Sequence, residues 1–274
     1  MTAFSSLNRA RQAATQLLVL QVTKRLGRGV PALIYQVGRV GSKALHEGLK
    51  RVYRPVFHVH RMNAENILAV REIYESKGYE PLLEVYGPAL RRAVVDKGGP
   101  LNTIVLVRDP VARHLSYFFH DLKLTLPGWR EALCEENVLA CFLATPEFQT
   151  IDEWFDRELK AVFGLDVLTH PFDRERGWQV IEMPPRRFLI LKLEVPDEEK
   201  VRAVTAFLDL REELTLPRIN TGDGRDYGAL YRRVKSSISL PADYLDQRYA
   251  SPYARHFYTE REIESFHRRW QHHR

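Results

Sequence analysis

The sequence predicts an α/β protein, a single domain with a central, mostly parallel β-sheet flanked by helices. Three observations carry this. Short apolar runs of β-forming type, at 33–37, 101–107 and 188–193, alternate with longer stretches of helical period. Two of them, Ile104-Val-Leu-Val107 and Phe188-Leu-Ile-Leu191, are wholly apolar, as in strands buried on both faces. Two runs also pass directly, through a glycine loop or an Asp-Pro step, into a helical pattern, the connection found in parallel βα units.

The elements follow in order. Residues 5–26 read as an amphipathic helix capped by Ser5 or Ser6. Its apolar run, Leu17 to Val22, is too short to span a bilayer, and no small-residue cleavage pattern follows it. Arg9, Arg11, Lys24, Arg25 and Arg28 leave open peripheral contact with an anionic membrane, beside packing on the protein body. A strand over 33–37, a loop over 38–42 and a helix over 43–53 come next. The alternating run Pro55–His60 is a second strand, with His58 and His60 on one side. Helices are expected over 63–78 and 82–97, closed by Gly78 and by Gly98-Gly99-Pro100. The strand 101–107 leads to a helix opened by Asp109-Pro110. Residues 128–163 look helical and irregular, with a break at Pro146. An edge hairpin is expected near Gly177-Trp178, then the strand 188–193, a helix from Pro196 to Leu210, a loop over 217–228, and tail helices over 228–237 and 259–271. This divides the chain into an N-terminal helix, 1–30, and an α/β domain with a helical C-terminal extension, 31–274.

With 274 residues the chain can bury a substantial core. The formal net charge of +6 and pI near 9.3 suit anionic ligands: nucleotides, phosphates, acidic glycans or a membrane surface. No Lys/Arg run is dense enough for a nucleic-acid groove, so no nucleic-acid partner is expected. Cys134 and Cys141, seven apart in a helical pattern and so placed to share a face, read as reduced, partly buried thiols, which suits a cytoplasmic location. Oligomeric state is not encoded legibly.

The chemistry concentrates in Gln36-Val-Gly-Arg-Val-Gly-Ser-Lys-Ala-Leu45. A helix that opens straight after a glycine loop presents unpaired N–H groups and the positive end of its dipole, which together form an anion site. Gly41 allows close backbone approach, and Ser42 and Arg39 add donors. The loop is not a Walker A motif: Gly38 and Gly41 are too close, and the serine precedes the lysine.

This stretch resembles the 5′-phosphosulfate loop of sulfotransferases that use 3′-phosphoadenosine 5′-phosphosulfate. Val107-Arg-Asp-Pro-Val-Ala-Arg-His-Leu-Ser116 resembles that family's 3′-phosphate segment, an arginine with a serine eight positions on. Leu189-Ile-Leu-Lys-Leu-Glu194 is similar to its later core strand with an acidic end. The three motifs touch most of the chain from residue 31 to about 210. The tail, with His256-Phe-Tyr-Thr and Trp270, resembles more loosely a bacterial branch of capsular polysaccharide synthesis proteins. The chain departs from the commoner pattern in three respects: Arg39 replaces lysine, Lys43 replaces a second threonine, and the C-terminal cofactor-covering motif of cytosolic members is missing.

The resemblance implies a P-loop NTPase-like sulfotransferase fold. It also implies in-line transfer of a sulfuryl group from 3′-phosphoadenosine 5′-phosphosulfate to a hydroxyl of a carbohydrate or related small molecule. Arg39, Val40, Gly41, Ser42, Lys43 and Ala44 would hold the 5′ end, and Arg108 and Ser116 the 3′-phosphate. No metal is required. His60 is the expected base, with His58 orienting it or the substrate; an imidazole near pKa 6.5 suits that work. His-x-His also fits a metal, but no third ligand is in view. Arg113 reads as structural. Arg225, Arg232, Arg233 and Lys235 read either as a solvated helix face or as a lid, with Lys235 the nucleotide contact. Tyr244, Tyr253, Phe257 and Tyr258 read as core. Two other functions fit the same residues: a nucleotide-dependent kinase, and a catalytically silent nucleotide-binding module in polysaccharide assembly.

Overall fold

The computed structural model describes residues 2–26, 29–78, 84–126, 128–134, 136–217 and 226–271. One five-stranded sheet has the order β2-β1-β3-β5-β4, with β1 at Ala32–Tyr35, β2 at Val56–Val59, β3 at Leu101–Val107, β4 at Trp178–Met183 and β5 at Arg186–Lys192. The pairs β1–β2, β1–β3 and β3–β5 are parallel, and β4 returns antiparallel to β5 as an edge hairpin. The expected fold class is therefore the observed one. Every residue of β1 and β3 is buried, polar Asn102 and Thr103 included, which is why the rest of both runs is apolar. The edge strand β2 alternates instead: Phe57 and Val59 face the core, and Val56 and His58 are only half-buried.

The helices are α1 (Thr2–Arg25), α2 (Ser42–Val52), α3 (Ala64–Ser76), α4 (Tyr86–Leu90), α5 (Pro110–His120), α6 (Leu122–Thr125), α7 (Trp129–Ala132), α8 (Val138–Leu143), α9 (Ile151–Trp154) and α10 (Ala161–Phe163). Past the hairpin come α11 (Asp197–Leu208), α12 (Gly228–Ser237), α13 (Ala242–Tyr249), α14 (Pro252–Phe257) and α15 (Glu260–Gln271). Two π-helical segments, Arg91–Val95 and Phe155–Lys160, continue α4 and join α9 to α10. α1 lies against α4 and the π segment behind it. Among the described residues no helix is long and apolar enough to cross a membrane.

Several elements depart from expectation. The helix expected over 82–97 is α4 plus a π segment; 79–83 lie outside the described residues. Gly87 explains the crowding there: a Cβ on it would come 1.8 Å from the Arg61 carbonyl oxygen. The 128–163 region is irregularly helical, as expected, and breaks into several short helices. Cys134 lies beyond α7 and is exposed, while Cys141 is half-buried in α8, so the two free thiols do not share a helix face. The tail holds two further helices, each opened by a proline step: Pro241 precedes α13, and Ser251 caps α14 with Pro252 in its first turn. Most of the loop expected over 217–228, Arg225 included, lies outside the described residues. Tyr253, Phe257 and Tyr258 are core, as expected, and Tyr244 is half-buried.

Candidate functional site

The carboxyl ends of parallel β1, β3 and β5 open on one edge of the sheet, where ligands of such folds bind. Beyond β1 the chain runs through the loop at 38–41 into α2. Arg39 and Gly41 both have left-handed backbone, with φ of 73° and 77°. For a non-glycine residue this conformation costs about 1–2 kcal/mol, and two arginines brace it. Arg108 Nη1 donates to the Arg39 carbonyl at 2.7 Å, and Arg113 Nε donates to the Gly38 carbonyl at 3.2 Å. Gly41 has no side chain to cap α2, and among the described residues no other side chain caps it. The first-turn N–H groups therefore keep their capacity for an anion.

The guanidinium of Arg39 lies on Ser116: Nε and Nη2 both donate to Oγ, at 3.2 and 3.0 Å. The two strand-end motifs thus meet in one place. Burial lowers the pKa of Arg39, and the neighbouring Arg108 adds to this, while Tyr227 and Tyr231 act in the opposite sense. These tyrosines mark where α12 comes in. Tyr231 and Tyr227 pack on Phe119 of α5, with ring centroids 5.1 and 6.0 Å away. The tail therefore approaches the site through Tyr227 and Tyr231. Lys235, the expected contact, is exposed two turns further on and forms no hydrogen bond or ion pair among the described residues. Val40 and Ser42 are buried, Lys43 is exposed, and Ala44 lines a cavity.

His58 and His60 project from the end of β2 beside this loop. Gln36 Nε2 and Ser42 Oγ lie 3.0 and 2.9 Å from His58 Nε2. An amide nitrogen can only donate, so His58 Nε2 is the acceptor. Gln36 Oε1 is then buried without a partner; turning the amide over would pair Oε1 with an Nε2–H of His58 instead. Either way His58 Nε2 is committed. Burial, with His60 and His46 beside it, lowers the His58 pKa to about 3. His60 is different. Its Nδ1–H donates to the Gln36 carbonyl at 2.9 Å, which leaves the Nε2 lone pair free on an exposed residue. Burial of part of the ring lowers its pKa; the hydrogen bond to Gln36 opposes this, and Arg61 adds to it. The His46 ring lies 5.1 Å from that of His58, and the His58 ring 4.9 Å from that of His60. Among the described residues no group of His, Cys, Asp and Glu has the spacing to hold a metal ion.

Behind His60 stands a buried carboxylate that sequence reasoning missed. Glu158, in the second π segment, accepts hydrogen bonds from Tyr35 Oη, Met62 N, Asn63 N and Asn66 Nδ2. Trp154 Nε1 donates to the His60 carbonyl at 2.7 Å. Together they fix the chain as it leaves β2. Burial raises the Glu158 pKa.

A second buried set holds Arg108. Tyr253 Oη accepts from Arg108 N and donates to Arg108 O, both at 2.9 Å. Glu194 accepts from Asp109 N at 2.8 Å and from Tyr258 Oη at 3.0 Å. Asp109 in turn accepts from Val111 N, Tyr249 Oη and Trp270 Nε1. The C-terminal helices therefore buckle onto the end of β3. Arg113 pairs with buried Glu147, which also accepts from Arg248, so Arg113 has the structural place expected of it. Beside the start of α2, a cavity of about 240 Å³ is lined by Gly41, Ala44, Leu106, Leu191, Leu193 and Pro217, with Asp197 and Lys200 also on its wall.

Residues 137–259 match the protein-family model NKWYS, described as "Putative capsular polysaccharide synthesis protein". No curated protein and no solved structure matches the chain. The matched stretch contains the scaffold of the site, Glu147, Trp154, Glu158, Glu194, Tyr253 and Tyr258, while Arg39, Ser42, His60, Arg108 and Ser116 lie outside it. Over those residues the chain is similar to proteins of capsular polysaccharide synthesis, which supports a link to polysaccharide biosynthesis.

Proposed function

We propose that the protein is a sulfotransferase that uses 3′-phosphoadenosine 5′-phosphosulfate and modifies a hydroxyl of a carbohydrate. The observation that carries this reading is the meeting of Arg39, Arg108 and Ser116 at the carboxyl edge of the sheet, beside the uncapped start of α2. A nucleotide phosphorylated at both ends needs two anion grips within reach of each other. The cavity beside Gly41 and Ala44 offers an apolar wall for a nucleobase next to those grips. The acceptor class rests on the capsular polysaccharide match.

The co-substrate supplies an activated sulfuryl group. A bond from the acceptor oxygen to sulfur forms while the bond from sulfur to the 5′-phosphate oxygen breaks. His60 Nε2 takes the acceptor proton, since His60 Nδ1 already carries a hydrogen, donated to Gln36 O. The α2 N–H groups, Ser42 and Arg39 stabilise the charge that grows on the departing phosphate, the same electrostatic strategy as in phosphoryl transfer. Arg39 suits this role because a guanidinium binds two oxygens at once.

Calorimetry with adenosine 3′,5′-bisphosphate beside ATP, followed by a sulfate-transfer assay on saccharides, tests the proposal. Selective binding of the bisphosphate and transfer to a sugar hydroxyl are expected. Binding without transfer to any acceptor would leave a silent nucleotide module, and magnesium-dependent ATP turnover would replace the reading with a kinase.

A further inference from the structure

Helix α1 is apolar on two sides. One side lies on the body: Thr15 and Val22 are buried, with Leu18, Val19 and Leu26 half-buried beside them. The other side carries Ala10, Ala13, Leu17, Leu20 and Lys24, all exposed and spaced by three or four residues, so they form one stripe. Leu17 is 62% exposed and Leu20 59%, the highest values of any large apolar residue among those described. A surface helix of a globular protein ordinarily has one apolar stripe, and that one faces the core. The second stripe lacks such a partner.

Its charge indicates what would cover it. From Thr2 to Arg25 the helix contains no Asp or Glu, and its sequence holds Arg9, Arg11, Lys24 and Arg25. Lys24 ends the stripe, and both Lys24 and Arg25 are exposed. Packing α1 against α1 of a second copy would bring cations together with no acid between them. An anionic bilayer complements both features: leucines enter beneath the headgroups while the lysine and arginine stems reach up to lipid phosphates.

We propose that α1 docks the protein on an anionic bilayer surface through Leu17 and Leu20, with Lys24 and Arg25 on the headgroups. This stands independently of the sulfotransferase reading. The test is co-sedimentation of the full chain with vesicles of phosphatidylglycerol and phosphatidylethanolamine, beside vesicles of phosphatidylcholine alone. The chain is expected to pellet with the anionic vesicles only, and less in high salt. Leu17→Gln/Leu20→Gln should cut binding about tenfold or more with an unchanged thermal melt. Lys24→Glu/Arg25→Glu, which keeps the leucines, should lose binding to the same vesicles. No binding to anionic vesicles, equal binding to both kinds, or binding undiminished in both variants overturns the proposal. A dimer in sedimentation velocity that Leu17→Gln/Leu20→Gln dissociates would assign the stripe to a second copy of the chain instead.

Discussion

Arg39 and Ser116, 77 residues apart in sequence, are bonded to each other through two nitrogens of one guanidinium. Each was expected to serve a different end of the nucleotide, yet in the fold they form a unit. Ser116→Ala removes the hydroxyl that accepts both hydrogen bonds, a net loss of about 1 kcal/mol, so it should weaken binding of adenosine 3′,5′-bisphosphate roughly fivefold. Arg39→Ala also removes a charge and should cost on the order of a hundredfold. Groups that act as a unit do not add. In an Arg39→Ala background, Ser116→Ala should therefore change little. Calorimetry on the four proteins measures this, and strictly additive losses would show that the two side chains act separately.

The two histidines of β2 divide the labour through their hydrogen bonds. His58 Nε2 is occupied by Gln36 and Ser42, and His60 Nε2 is free. His60→Ala should lower turnover by about 10² to 10⁴ and leave bisphosphate affinity unchanged. A lowered pKa keeps His60 unprotonated further into acid than an ordinary histidine. The acid limb of kcat/KM should accordingly fall below the usual midpoint near 6.5 and vanish in His60→Ala. His58→Ala should instead loosen Ser42, weaken the bisphosphate and keep the limb. An acid limb that persists without His60 would place the base elsewhere.

The route from β1 through the loop into α2, and from β3 into α5, was legible because glycines and an Asp-Pro step punctuate unbroken apolar runs. The approach of the two loops could be foreseen only through the rule for parallel sheets. Glu158 was not legible. It lies in Asp156-Arg-Glu-Leu-Lys160, where four of five residues are charged and nothing in the sequence marks one of them as interior. Only partners from residue 35 and from 62–66 make it an interior acceptor, and the π register that aims it inward leaves no compositional mark. Gln36 is a single polar residue after an apolar run. Its two bonding roles, side chain to His58 and carbonyl to His60, exist only once β1 and β2 pair. The tail helices α13 and α14 were missed because each is short and opens on a proline step that reads as loop.

Glu158 also makes a prediction about stability. Its carboxylate takes hydrogen bonds from Tyr35, Met62, Asn63 and Asn66 in the interior. Glu158→Ala would leave these donors unpaired, each at about 1–3 kcal/mol where water cannot reach it. A loss of roughly 3 kcal/mol or more is expected in urea unfolding. Glu158→Gln keeps the shape and one acceptor oxygen and should lose less. Because the same bonds fix the chain just after His60, Glu158→Gln should lower turnover more than bisphosphate affinity. Equal loss of both would mean that the network supports the fold alone.

Stability should also depend on pH through His114, which lies under the Arg113 brace. Its Nε2–H donates to Thr145 O at 3.0 Å, and its Nδ1 accepts from Arg248 at 2.9 Å with Tyr244 Oη 2.7 Å away. Burial, then the charge of Arg248, lowers its pKa to about 3. An unfolded histidine titrates near 6.5, so between those values the unfolded chain binds the extra proton. The contribution of His114 to folding therefore falls as pH drops below 6.5, by up to about 1.4 kcal/mol per pH unit. The buried carboxyls of Asp109, Glu147, Glu158 and Glu194 have raised pKa values and act in reverse, holding protons more readily when folded. The total slope thus mixes opposing signs, and the informative quantity is a difference. Urea unfolding of the protein and of His114→Gln over roughly pH 6 to 4 should show that stability changes with pH by about 1 kcal/mol per unit less positively in the variant. Coincident slopes would mean that His114 takes up its proton as readily in the folded protein as in the unfolded chain.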